Sequence, residues 1–250
     1  MAVIWQKSVN GKRYEVRAAG NTQRLYTDGV FHSQYNPHKT LTGNVWDLLS
    51  LPSFFLAPEQ IRRILVLGVG GGAVMHQLAS WYADIDITGI ELDKTHIEIA
   101  RRFFKLKGKH LTLVHDDAID WVKRYRGLPF DLVIDDLFAE VAGEPVRVIA
   151  ASKTWLNHLT RLMTPHAALV MNFTEAKDMR EVLIHMRQGA AKKFSMAYRF
   201  MTPLYENQIG AFLRQPCKKN AWRRRLAEHP ALNREYEANH DKYQIRKLFG

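Results

Sequence analysis

The sequence predicts an α/β fold: a seven-stranded sheet, parallel except for a closing antiparallel hairpin, preceded by a small N-terminal antiparallel β-sheet. Three observations predict it. Short apolar–polar alternations, broken at Gly11, Gly20-Asn21 and Asp28-Gly29, fill the first forty residues. Apolar runs then alternate with helical spacing from residue 64 to residue 172, and two further strand-like runs flank Pro203. Strands that alternate with helices of about 10–15 residues imply a parallel sheet covered on both faces.

The N-terminal sheet takes the runs 3–9, 14–18 and 24–31. From Leu41 the apolar positions change to helical spacing through Val45, Leu48, Leu49 and Leu51, until Pro52 and Pro58 punctuate a connection. The core follows as strand 64–67, a helix to Tyr82, strand 85–90, helix 94–104, strand 111–114, helix 118–125, strand 130–134, helix 148–162 and strand 167–172. A helix over 175–187 leads to the closing pair, 194–200 and 208–213. The soft boundaries divide the chain into 1–58 (small sheet and linking helix), 59–216 (nucleoside-binding core) and 217–250 (a basic helical extension).

Bulk composition narrows the partners. Nearly half of the 250 residues are hydrophobic, yet no run approaches the roughly 20 apolar residues of a membrane span. Met1-Ala2-Val3-Ile4-Trp5-Gln6-Lys7 turns polar too early for a secretory signal, so a cytoplasmic protein is expected. Cys217 is the single cysteine, which excludes an intramolecular disulfide and any cysteine-based metal cluster. His32, His38, His76, His96, His110 and His115 are too scattered for metal spacing and read as surface or packing residues, so no metal is expected. The net charge of +11 favours an anionic partner, and the extension with Arg223-Arg224-Arg225 offers nucleic acid a contact, with Trp222 and Tyr236 available for stacking. A solvated helical face explains the same charges. A homo-oligomer is compatible with the sequence.

The chemistry sits at strand ends. Strand 64–67 runs into Gly68-Val69-Gly70-Gly71-Gly72-Ala73 and a helix, which puts glycines where backbone must approach a ligand at a helix N-terminus. Gly68, Gly70 and Ala73 also fit the dinucleotide pattern, which keeps a nicotinamide dehydrogenase open. Glu91, followed by Leu92, closes the second strand 23 positions after Gly68, where a carboxylate can accept from both hydroxyls of a ribose. Asp93 is the expected cap of the next helix. The third strand ends in Asp116-Asp117-Ala118, with Asp117 assigned to an adenine amino group and Asp116 to the helix cap. The fourth delivers Asp135 and Asp136 to the same edge as the catalytic carboxylates, serving either as a proton acceptor or as negative potential beside a sulfonium.

Together these segments, with Tyr26-Thr27-Asp28-Gly29-Val30 in the small sheet, resemble the spermidine synthase family over residues 1–215. The resemblance implies a Rossmann-like core, an adenosylsulfonium donor and transfer of an alkyl group. It implies that residues 68–72 and Glu91 cradle the donor, that Asp117 contacts adenine, and that Asp136 matches the first acid of a D-x-x-D catalytic segment. Three departures stand out. Ala139 occupies the position of the second acid, with Glu140 adjacent; Val45 and Trp46 replace a Tyr-His pair; and Gly71 replaces the aspartate of G-G-G-D-G-G. That aspartate would pair with the donor's amino group and repel the carboxylate of S-adenosylmethionine by a few kcal/mol at most, on the order of a screened charge pair.

Three functions remain in play. The first is a methyltransferase using S-adenosylmethionine on a small-molecule acceptor. The second is an aminopropyltransferase using decarboxylated S-adenosylmethionine and a polyamine, its acidic pocket rebuilt from Asp135, Asp136, Glu140 and Glu144. The third is a non-catalytic nucleoside- or nucleic-acid-binding protein.

Overall fold

Asn10-Gly11 and Asp28-Gly29 both take positive φ at their two positions, the geometry that joins strands by a two-residue turn matched to their twist. The computed structural model, which describes residues 1–141, 144–188, 194–230 and 232–250, accordingly opens with a four-stranded antiparallel sheet in sequential order. Its strands are β1 (Ala2–Val9), β2 (Lys12–Ala19), β3 (Thr22–Thr27) and β4 (Val30–Tyr35). The single run expected over 24–31 is two strands, because Asp28-Gly29 lies inside it and folds it back.

The linking helix is short, α1 (Val45–Ser50), and runs straight into a 3-10 turn over Leu51–Phe55 where Pro52 cannot continue α-helical hydrogen bonding. The core then alternates β5 (Arg63–Leu67), α2 (Ala73–Trp81), β6 (Asp86–Glu91), α3 (Lys94–Arg102), β7 (Leu111–His115), α4 (Ala118–Arg124) and β8 (Phe130–Asp135). After β8 comes a hairpin absent from the sequence reading, β9 (Phe138–Val141) with β10 (Glu144–Arg147). It shortens the following helix, α5 (Lys153–Arg161), relative to the expected 148–162. The chain continues through β11 (Met163–Phe173), α6 (Ala176–Gln188), β12 (Met196–Thr202) and β13 (Tyr205–Leu213).

The extension beyond residue 216 forms α7 (Lys219–Glu228), α8 (Asn233–Glu237) and a strand, β14 (Gln244–Phe249), which pairs antiparallel with β12. Among the described residues the sheet therefore has eight strands, in the order β14-β12-β13-β11-β8-β5-β6-β7. Trp222 explains why the extension docks: its indole is fully buried beside Phe55 and Phe200, and its N–H donates to the Leu51 carbonyl at 2.8 Å. Tyr236 and Tyr243 stack nearby, so Trp222 is a core residue and is not exposed for stacking on a base.

Two apolar layers cover the sheet, one built around Leu48, Met75, Leu78 and Trp222, the other around Trp155, Leu159, Met179 and Val182. A third cluster, Tyr14, Val16, Leu25, Tyr35, Ile99 and Phe104, fastens the small sheet to α3. The order of strands reverses direction between β5 and β8, so their carboxyl ends open onto a crevice, and the small sheet is held against its rim. No helix among the described residues is long and apolar enough to cross a membrane.

Candidate active site

A cavity of about 910 Å³ occupies this crevice, walled by Gly68, Val69, Gly70, Glu91, Leu92 and Asp136 from the core and by Tyr14, Thr27, Phe31 and His32 from the small sheet. Its size lies at the upper end of the roughly 300–1,000 Å³ usual for ligand pockets. The glycine turn is required at two points. A Cβ on Gly68, at φ 82°, would collide with the Asp136 carbonyl, and one on Gly70, at φ 55°, would stand 3.0 Å from the His32 carbonyl. Gly71 and Gly72 face away from the cavity, toward Phe104 with Ser33 and toward Leu106 respectively.

Glu91 closes the turn from below. Its Oε2 accepts from the N–H groups of Val69 (2.9 Å) and Gly70 (2.7 Å), and its Oε1 from that of Asp93 (2.8 Å). Burial pushes its carboxyl above the usual range, opposed by those three donors. A carboxylate offers about four lone-pair sites, so one remains after three backbone bonds. Asp93 caps α3 as expected, accepting from Thr95 and His96 N–H and from the Tyr14 hydroxyl at 2.6 Å.

His96 stands beside them, its Nε2 2.8 Å from Thr27 Oγ1 and its ring 5.0 Å from that of His32. Burial holds both imidazoles down at about 4, so they are neutral near pH 7 and the 3.8 Å approach of His96 to Glu91 is no ion pair there. His32 leaves its Nε2 without a partner among the described residues. Sequence spacing assigned both histidines to surface or packing; the fold puts them on the cavity wall.

The two acids at the end of β8 part company. Asp136 lines the cavity, and Asn172 donates to its Oδ1 at 2.8 Å, itself receiving the Asn207 amide at 3.0 Å. Burial, aided by the neighbouring Asp135 charge, pushes the Asp136 carboxyl up to about 6 against that hydrogen bond. Asp135 is fully buried instead, held by Arg147 (2.9 Å) and the Trp155 indole N–H (2.8 Å). Successive strand residues point to opposite faces, so only one of an adjacent pair can reach the crevice. Asp135, expected as a catalytic carboxylate, does not line the cavity and instead ties β10 to the core through Arg147.

Asp116 and Asp117 exchange one expected role. Asp117 is the N-cap of α4, accepting from Ile119 (2.7 Å) and Asp120 (3.1 Å), while Asp116 pairs with Arg124. Asp116, Asp117 and Ala118 stand outside the cavity wall, one strand beyond Glu91, whose carbonyl accepts the Asp116 N–H at 3.1 Å. The side chains of Glu140 and Glu144 lie outside the described residues.

The family model described as the spermine/spermidine synthase domain matches residues 47–222. The chain belongs to this family. Among its relatives, a polyamine aminopropyltransferase from Vibrio vulnificus is 32% identical over 145 residues, covering 57% of this chain and 46% of the relative. An eEF1A lysine and N-terminal methyltransferase homolog from Drosophila melanogaster is 30% identical over 118 residues, covering 44% of this chain and 17% of the relative. The chain thus spans less than half the length of either. A crystal structure of a probable spermidine synthase from Corynebacterium glutamicum shares the fold, with a TM-score of 0.75 at 16% identity, covering 99% of this chain and 91% of that one.

Within this family member, the second half of the cavity escaped the sequence reading. It is lined by Phe31, Trp46, Phe138, Asn172, Tyr205 and Asn207. The strand-end rule that found Asp136 would have found Asn172, which sits at the same edge of the neighbouring parallel strand. The aromatic residues carry no such signal, because apolar rings in a strand or turn read equally well as core.

Proposed function

We propose that the chain transfers a methyl group from S-adenosylmethionine to a small-molecule acceptor. One observation carries the reading: the glycine turn is built without an acid and has no space for one. A Cβ on Gly71 would stand 2.5 Å from the Phe104 ring and 2.7 Å from Ser33 Cβ. The aspartate that would repel a donor carboxylate in aminopropyl transfer therefore has neither residue nor room. The relatives include a protein named for methyl transfer as well as one named for aminopropyl transfer, which keeps the second activity as the alternative.

The residues present fit an adenosylsulfonium. Gly68 and Gly70 expose bare backbone to the cavity, Glu91 keeps a lone-pair site for ribose hydroxyls, and Leu92, 67% exposed, offers an apolar face to a purine. In this reading the adenine amino group falls to the Asp116-Asp117 segment. Asp117 Oδ1 is occupied by the helix cap and Asp116 Oδ2 by Arg124, leaving the other oxygen of each carboxylate to share that role. The donor supplies a methyl group on a positively charged sulfur. The chain supplies proximity and orientation, which are worth much of the barrier when reacting atoms are held in line. Asp136, ionised above about pH 6, adds negative potential beside the sulfonium and a place for the acceptor's proton.

Calorimetry with S-adenosylmethionine, its decarboxylated form and methylthioadenosine tests this. Binding of the carboxylated donor at least as tight as that of the decarboxylated one is expected. Binding of the decarboxylated form alone would transfer the assignment to aminopropyl transfer.

A further inference from the structure

We propose that the acceptor is a neutral aromatic molecule carrying the hydroxyl that is methylated, bound in the half of the cavity between the small sheet and β13. This rests on the methyl-transfer reading and names its substrate class. Phe31 and Trp46 meet edge to face at 4.9 Å, and Tyr26 stacks on Phe31 at 5.3 Å, so the wall is a fixed aromatic cluster. Phe138 faces the cavity from β9, and the Tyr205 ring is fixed by its hydroxyl, which donates to Asn44 Oδ1 at 2.7 Å. Rigid rings of this kind bury a flat apolar molecule at little entropic cost.

The polar groups on this wall are few and neutral, the amides of Asn172 and Asn207, with Asp136 the one carboxylate among the described residues there. A polyamine presents several ammonium groups, each of which needs a partner when it leaves water. Cations reinforce the contrast: Arg24 lies over the Phe31 ring at 5.0 Å and Arg147 sits 5.8 Å from the Phe138 ring. The acids of the cavity other than Asp136, namely Glu91, Asp93 and Glu98, lie at the opposite end with Lys7, Lys12 and Lys94.

Asp136 supplies the base that a hydroxyl needs, since its proton must leave as the oxygen attacks. An ammonium group would need one too, so the choice between them rests on the neutral aromatic wall. Asn172 holds Oδ1 and leaves Oδ2 to the cavity. In the step, the acceptor O–H proton passes to Asp136 Oδ2 as oxygen attacks the methyl carbon. The carbon–sulfur bond breaks with its electrons on sulfur, leaving an aryl methyl ether and a neutral thioether. The proton later leaves to solvent.

The test saturates the protein with S-adenosylhomocysteine and titrates catechol, 2-naphthol and putrescine in separate arms, followed by calorimetry. Incubation with S-adenosylmethionine and each acceptor then reads methylated product by mass spectrometry. The expected result is binding and methylation of the phenols and not of putrescine, with Phe138→Ala weakening phenol binding at least tenfold and S-adenosylhomocysteine binding less than threefold. The second figure shows that the variant is folded. If S-adenosylhomocysteine binds and putrescine binds while neither phenol does, the aromatic assignment is overturned and the donor reading stands. If S-adenosylhomocysteine itself does not bind, the donor reading fails first. Unchanged phenol affinity in both Phe138→Ala and Phe31→Ala also overturns the placement.

Discussion

Replacing Asn172 by Leu keeps the side-chain volume and removes two hydrogen bonds, the one accepted from the Asn207 amide at 3.0 Å and, acting on the acid itself, the one donated to Asp136 Oδ1 at 2.8 Å. That bond stabilises the ionised carboxylate and works against the burial that has already pushed Asp136 up to about 6. A hydrogen bond to a charged group is worth about 1.5–3 kcal/mol, and one pKa unit corresponds to about 1.4 kcal/mol. The midpoint in Asn172→Leu should therefore rise by about 1–2 units, so that Asp136 is still half protonated at or above neutrality. The carbon NMR titration of the aspartate carboxyls measures this directly, with the Asp136 signal identified by its loss in Asp136→Asn. Where an acceptor is turned over, the acid limb of the pH–rate profile should move up by the same amount, because the base is lost as pH falls through its pKa. Asn207→Ala touches Asn172 and not Asp136 and should shift the midpoint by less than half a unit, on the order of a weakened neighbour bond. A midpoint that stays at its original value, or falls, in Asn172→Leu would refute the reasoning.

Arg147→Met leaves Asp135 as a buried charge and should cost about 3–5 kcal/mol in urea unfolding, part of which the double variant with Asp135→Asn recovers. Trp222→Ala should cost about 3–5 kcal/mol, while Arg224→Ala, on a salt-exposed face of the same helix, should stay within about 0.5 kcal/mol. Equal small effects from both would show that the extension is independent of the core. Asp47, fully buried, accepts from Thr42, Gly43, Gln77 and Tyr243, and burial still pushes it up to about 6 from 3.8. In that window the folded chain holds the proton and the unfolded chain releases it. The Asp47 contribution to stability therefore falls as pH rises from about 4 to about 6, by about 3 kcal/mol. Asp47→Asn should remove that part of the slope in pH-dependent thermal unfolding. Glu91→Gln should weaken calorimetric binding of S-adenosylmethionine at least about tenfold, the order of one charge-assisted hydrogen bond; unchanged affinity would remove Glu91 from the ribose.

Local chemistry carried much of this molecule into view. Period-two and helical spacings, with glycine and asparagine or aspartate at turns, specified the alternating core and the small sheet. The rule that open α/β sheets bind ligands at strand carboxyl ends selected Gly68, Glu91 and Asp136, because it depends only on where a strand stops. What spacing could not resolve were choices between neighbours. Asp135 and Asp136 are chemically identical in sequence; the pleat and the arrival of Arg147 and Trp155 from distant segments decide that one is an anchor and the other faces the cavity. Asp117 rather than Asp116 caps α4 because its backbone holds the extended conformation that turns a side chain onto the first-turn amides.

The residues that only folding could assemble are those that no local pattern distinguishes. Trp222 reads as an exposed aromatic among arginines until the 3-10 turn at Leu51–Phe55 supplies its pocket, and the strand 244–249 reads as tail until β12 offers an open edge. His32 and His96 are ordinary histidines until the small sheet settles on α3 and desolvates both at once. Amino-acid order by itself determined the layered core, the glycine turn and the carboxylates at its strand ends, since each follows from interactions within a few residues. Tertiary structure decided which acid faces the cavity, what covers the crevice and the aromatic character of its second half, since burial and charge at a point depend on every segment that arrives there.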